Sequence, residues 1–104
     1  MIKEIQVKEL KDRLDTKDIV LIDVREEEEF AICNIEPSLH IPMNKIPSHL
    51  DKLDKDIGYA IICHSGVRSH NVCFYLQNYG YNVRNVVGGI HEWALEIDET
   101  MKTY

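Results

Sequence analysis

The stretch Tyr59-Ala60-Ile61-Ile62-Cys63-His64-Ser65-Gly66-Val67-Arg68-Ser69 decides the reading of this chain. A short apolar run ends in a cysteine, and a polar loop with one glycine follows. Val72, Cys73, Leu76 and Tyr79 then recur at helical spacing up to Gly80, a residue suited to a helix C-cap. A continuous apolar run bounded by breakers reads as a strand buried on both faces. The local unit is therefore strand, tight loop, helix.

The same unit repeats outward. Residues 19–22 form a second apolar run, ending at Asp23, and residues 83–87 a third, ending at Gly88-Gly89. Residues 5–7 and 40–41 read as two short further strands. Helical spacing fills the gaps at residues 7–14, 26–32, 69–79 and 90–97, and Ile46, Leu50 and Leu53 make an i, i+4, i+7 stripe. Strands alternating with helices of this length predict an α/β fold, a parallel sheet with helices on both faces. Pro37, Pro42 and Pro47 mark residues 35–47 as a segment that wraps around the sheet rather than joining it. With no linker or repeat, residues 1–104 read as a single domain.

Composition narrows the function classes. The chain has 104 residues, of which 18 are acidic and 12 basic, for a net charge of −6. That charge repels phosphate backbones, so neither nucleic acid nor an anionic membrane is expected as a partner. No segment approaches the roughly 20 apolar residues that span a bilayer. Residues 1–10 lack the apolar core of a signal peptide, so a cytoplasmic location is expected. Three cysteines, at 33, 63 and 73, are too few and too odd in number for a disulfide framework. At this size a monomer is the default.

Cys63 stands at the carboxyl end of a strand, where open parallel sheets bind ligands. Gly66 permits a tight turn whose backbone N–H groups converge inward. The helix that follows directs its positive end at the same spot. Arg68 adds a permanent charge and a planar donor fork. Each feature favours thiolate over thiol, and such surroundings lower a cysteine from about 8.5 to roughly 3.5–7.5. Cys63 is thus a candidate nucleophile, and the same donors suit a persulfide or an oxyanion. The alternative, a small residue ending a buried strand, is outweighed by the loop that follows.

Four segments together resemble the rhodanese-like family. They are Asp23-Val24-Arg25-Glu26 with Glu29-Phe30, then Leu39-His40-Ile41-Pro42, then Cys63 to Ser69, then Gly80-Tyr81 through Val86-Val87-Gly88-Gly89 with Trp93. The resemblance implies a rhodanese-like three-layer fold around a central, mostly parallel five-stranded sheet. It also implies a sulfurtransferase of the thiosulfate:cyanide type. Cys63 would take a sulfane sulfur from thiosulfate or a persulfide donor, then yield it to a thiol, cyanide or a sulfur carrier. By motif position, the substrate-binding cradle would be His64, Ser65, Gly66, Val67, Arg68 and Ser69. Arg68 would hold the donor's anionic end, and Asp23 and Arg25 would brace the site. The tail from Trp93 to Tyr104 resembles rhodanese domains fused to enzymes that adenylate sulfur-carrier proteins. Thioredoxin, a cysteine desulfurase and a sulfur-carrier protein are the partners this implies, with no cofactor. A plainer reading is that the tail packs Ile97 and Tyr104 onto the domain.

Two departures from the family pattern stand out. Cys33 falls where the family usually has glycine, and Glu36-Pro37-Ser38 replaces a proline–glycine–alanine. Cys33 is either a loop filler or a second thiol that resolves the persulfide. Cys73, on an apolar helix face, reads as core. The Glu26–Glu29 run reads as a solvated helix start. His64 could tune the thiolate or only space the loop, and His40 would support the turn before Pro42. His49, His70 and His91 show no metal-ligand spacing, so no metal is expected.

Two rival functions remain at this point. Phosphatases that share the fold use a C-x5-R loop, but here only four residues, 64 to 67, separate Cys63 from Arg68. A smaller cradle suits a sulfur atom better than a phosphate or arsenate group. A non-catalytic binding or regulatory module is the other rival, and the presence of both Cys63 and Arg68 weighs against it.

Overall fold

The computed structural model describes residues 1–104. Five parallel strands form one sheet in the order β1-β5-β4-β2-β3. They are β1 (Glu4–Ile5), β2 (Val20–Asp23), β3 (Leu39–His40), β4 (Gly58–Ile62) and β5 (Asn82–Val86). The helices are α1 (Val7–Asp15), α2 (Glu27–Ile32), α3 (Val67–Asn78) and α4 (Gly89–Glu96), with a 3-10 helix over Met43–Lys52.

Alternation along β4 divides the core. Ala60 and Ile62 face one side, packed with Leu10, Leu14, Ile90 and Trp93 of α1 and α4. Tyr59, Ile61 and Cys63 face the other, packed with Val72, Cys73 and Leu76 of α3 and Ile46 of the 3-10 helix. Because both faces are covered, β4 reads as a continuous apolar run, as parallel strands do. The sheet carries helices on both faces, and every pairing in it is parallel. No helix is long and apolar enough to cross a membrane.

Three details differ from the sequence reading. Val7 belongs to α1 rather than to β1. Its side chain faces the α1–α4 core, which either assignment would satisfy. The Ile46, Leu50 and Leu53 stripe lies on a 3-10 helix, with Pro47 inside it. Pro47 has no N–H for a helical bond, and the tighter helix tolerates it. The proline-marked segment does not merely wrap the sheet. Leu39 and His40 pair with Ile22 and Asp23 as an edge strand, lying between the prolines where every residue keeps its N–H.

Candidate active site

The site forms where β4 stops. Ile62 is the last paired residue, and its carbonyl accepts the Val24 N–H at 3.0 Å. Cys63 then turns its side chain toward α3 and is 1% exposed. Gly66 has φ of +110°, a conformation that L side chains rarely adopt, and it caps α3 directly. The turn therefore brings the start of α3 back over the cysteine. Gly66 N–H donates to Cys63 Sγ at 3.1 Å and Ser69 N–H at 3.4 Å. Ser69 Oγ lies 3.2 Å from the same sulfur.

Burial raises the pKa of the Cys63 thiol. The Ser69 hydroxyl and the N–H groups of Ser69, Gly66 and Ser65 more than offset that, so the thiol sits below its usual value. A lowered thiol carries more of the thiolate, the nucleophilic form, at a given pH. Cys73, on the same apolar face, has no donors, and burial pushes it up to about 12.

The floor of the site is tied down by α4. Ile90 N–H donates to the Cys63 carbonyl at 2.9 Å, and His91 N–H to the His64 carbonyl at 3.1 Å. Gly89 makes this docking possible. A Cβ there would meet the backbone of Cys63 and His64 closer than real Cβ atoms approach anything.

Arg25 and Asp23 lie beneath the rim, 0% and 1% exposed. Asp23 accepts from Arg25 Nε at 3.0 Å and from Nη2 at 2.7 Å. Nη2 also donates to the Cys33 carbonyl at 2.7 Å. Nη1 donates to the Glu29 carbonyl at 3.2 Å and to the Tyr104 hydroxyl at 3.0 Å. Every arm of the guanidinium is satisfied, as a buried charge requires. The pair thus fastens the end of β2 to the end of α2 and to the chain's last residue.

Arg68 is not an open fork. Its two terminal nitrogens contact Glu29 Oε1 and Oε2 at 2.6 and 2.8 Å. Glu29 also closes a capping box on α2 with Glu26. Of the other loop residues, Ser65 and Val67 are exposed, while His64 and Gly66 are half-buried. The His64 ring stacks on the Tyr104 ring at 4.2 Å, and the Tyr104 hydroxyl donates to Glu29 Oε2 at 2.8 Å. His40 donates from Nε2 to the Arg25 carbonyl at 2.7 Å and stacks on Phe30.

Cys33 packs against the α1–α4 core, whereas Cys63 belongs to the α3 side. The Cys33 sulfur lies 3.8 Å from Arg25 Nη1. Three residues that matter to the site's geometry carried no site assignment in the sequence reading: Glu29, Tyr104 and Asn85. Glu29 lay inside a glutamate run that reads as solvated. Asn85 is a polar residue on the inward side of β5, 5% exposed, and that break in an apolar pattern was its signal.

Residues 6–96 match the rhodanese-like domain family. The chain is 46% identical over 96 residues to YtwF of Bacillus subtilis, a proposed sulfurtransferase, spanning 91% of this chain and 93% of that protein. It is 42% identical over 96 residues to a sulfurtransferase of Allochromatium vinosum, with 90% of each covered. The adenylyltransferase and sulfurtransferase MOCS3 of Drosophila persimilis matches 98% of this chain at 29% identity, over 25% of its own length. That match bears out the resemblance in the tail. A rhodanese-like domain protein from Staphylococcus aureus superimposes with a TM-score of 0.86 at 38% identity, covering 99% of both chains. The strand order, the Cys63 loop and these likenesses agree, and the chain belongs to the rhodanese-like domain family.

Proposed function

We propose that the protein is a sulfurtransferase that carries a sulfane sulfur on Cys63 as a persulfide. The observation behind this reading is the convergence of the Gly66 and Ser69 N–H groups and the Ser69 hydroxyl on one sulfur atom. Such donors stabilise negative charge on the Cys63 sulfur when it is a thiolate, as attacking group and again as leaving group.

The cycle has two displacements. The Cys63 thiolate attacks the outer sulfur of thiosulfate or of a persulfide. The donor's S–S bond breaks, and sulfite or the donor thiolate leaves with the electron pair. A thiol, cyanide or a sulfur-carrier acceptor then takes the outer sulfur, and Cys63 returns as thiolate. Ping-pong kinetics follow. Ser65 and Val67 are the exposed part of the loop, the side from which a donor would approach. Arg68 contributes charge nearby while Glu29 holds its fork. Thioredoxin, a cysteine desulfurase or a sulfur-carrier protein would serve as macromolecular partner.

Phosphoryl transfer is the weaker reading on the same geometry. The guanidinium that would clamp a phosphate is engaged by Glu29, and the loop is one residue shorter than phosphatases use.

The test is to incubate the protein with thiosulfate, and separately with a cysteine desulfurase plus cysteine, then analyse peptides by mass spectrometry. A gain of one sulfur at Cys63, reversed by cyanide or thiol, is expected. No adduct from either donor, with Cys63 reduced and reactive, would overturn the proposal and favour a binding module.

A further inference from the structure

Cys63 and Asn85 compete for one proton. Ser69 Oγ lies 3.2 Å from Cys63 Sγ and 2.5 Å from Asn85 Oδ1. On its other arm, Asn85 Nδ2 donates to the Gly66 carbonyl at 3.0 Å. A carbonyl accepts only, so that bond fixes which end of the amide faces Ser69: the oxygen, itself only an acceptor.

A serine hydroxyl has a single proton to give. While Ser69 gives it to Asn85, it can only accept from Cys63, and the matching partner is the S–H of a protonated thiol. When Cys63 ionises, its proton passes to water and the thiolate needs donors. Ser69 must then turn its O–H to sulfur, which leaves Asn85 Oδ1 without that partner. Asn85 is 5% exposed and Ser69 is fully buried, so the lost bond is costly. The Gly66 and Ser69 N–H groups have no such conflict and favour the thiolate throughout.

We propose that Asn85 is a positioning residue that holds the Ser69 proton and so opposes ionisation of Cys63 until Ser69 turns. The resting cysteine is then less reactive than its backbone cradle alone would make it. In a persulfide the charge moves to the outer sulfur, one bond beyond Cys63 Sγ, and the hydroxyl is free to return to Asn85. The functional use of this device rests on the sulfur-carrier reading, but its physical content does not, because it concerns a thiol and its proton.

Other charged or titratable groups surround Cys63. Arg68 and Cys73 reach it from α3, His64 follows it in the chain, and His91 begins α4 behind the loop. Asp23 and Arg25, at the end of neighbouring β2, neutralise each other. All stay constant across the variants below.

The experiment is the pH dependence of Cys63 alkylation by iodoacetamide, read at the peptide level in the full chain with no sulfur donor present. Asn85→Leu removes the competing acceptor and is expected to move the midpoint to lower pH, with about threefold or more additional thiolate at pH values below it. A mere loss of loop support would move it the other way, toward the free-cysteine value. A midpoint that rises or stays overturns the proposal. In a Ser69→Ala background, Asn85→Leu should add no shift, and a persisting shift also overturns it. Should Asn85→Leu fail to fold, the infrared S–H stretch of Cys63, isolated by subtracting Cys63→Ser, reports on the same point. It is expected at a hydrogen-bonded frequency in the native chain and at a higher one in Ser69→Ala. Equal frequencies would sink the idea. Because no donor is used, failure here is separable from failure to form a persulfide.

Discussion

Glu29 grips both terminal nitrogens of Arg68, joining the first turn of α2 to the first turn of α3 beside Cys63. The hydrogen bonds from Arg68 lower the Glu29 carboxyl to about 2, against the opposing effect of partial burial. Unfolded, a glutamate titrates near ~4.3. A depressed carboxyl contributes stability that is present above the unfolded value and lost as pH falls through the folded one. The pair should therefore stabilise the fold fully above about pH 5 and lose its effect toward about pH 2. Glu29→Gln is expected to lower stability at pH 7, read from urea unfolding, by on the order of 1 kcal/mol for a part-exposed bidentate pair. Near pH 3 the gap to the native chain should narrow. An equal gap at both pH values would mean that Glu29 acts through packing instead.

The Asp23–Arg25 pair differs in kind, because both side chains are out of water. Removing one partner of a buried pair costs about 3–5 kcal/mol. A domain of this size has only about 5–15 kcal/mol in total. Arg25→Ala should thus leave a chain that unfolds at low urea. Arg25→Lys keeps the charge but cannot serve Asp23, the Cys33 and Glu29 carbonyls and Tyr104 together. It should fall between the two. Equilibrium urea unfolding followed by circular dichroism ranks the three, and a lysine variant as stable as the native chain would refute the account.

The fold was legible because its decisive features are local. The β4 run, the Gly66 turn and the α3 periodicity lie within one short stretch, and each reports on its own backbone. Cys63 was legible for the same reason. The Glu29 grip was not, since Glu29 and Arg68 are 39 residues apart and a run of glutamates at a helix start has a sufficient local explanation. Arg68 consequently looked free for a donor when it is engaged. Asn85 shows in the sequence only as a polar break between the buried Val83 and Val86 of β5, and that break does not name its partner. Only the juxtaposition of β5 with α3 gives its amide a partner. The 3-10 helix was misjudged because an apolar stripe reports which face is buried and says little about how tightly the helix winds.

The three cysteines should be chemically distinct. Cys63 has donors and a lowered thiol, whereas Cys73 is fully buried and raised to about 12. In the native protein at pH 7, limited iodoacetamide should label Cys63 and leave Cys73 untouched until denaturant is added. Cys33 packs on the opposite side of the sheet from Cys63, so it is badly placed to resolve a persulfide. Cys33→Ser is expected to leave the rate of persulfide discharge without added thiol unchanged. A slowed discharge would restore Cys33 as a second thiol.

Gly89 offers the sharpest steric test. Its φ is +62°, and the space a Cβ would need is filled by the backbone of Cys63 and His64. Backbone cannot swing aside as a flexible side chain can. Gly89→Ala must push α4 off the loop, stretching the Ile90 and His91 N–H bonds to the Cys63 and His64 carbonyls. Gly58 is a control, since a Cβ there meets only the Asn82 side chain at an ordinary 3.5 Å. Gly89→Ala should lower stability by about 1–3 kcal/mol and slow Cys63 alkylation at neutral pH, because the loop that aims N–H groups at the sulfur loses its backing. Gly58→Ala should do neither. If both variants alkylate at the native rate, α4 is not what holds the cradle in register, and its close approach to the loop serves the core alone.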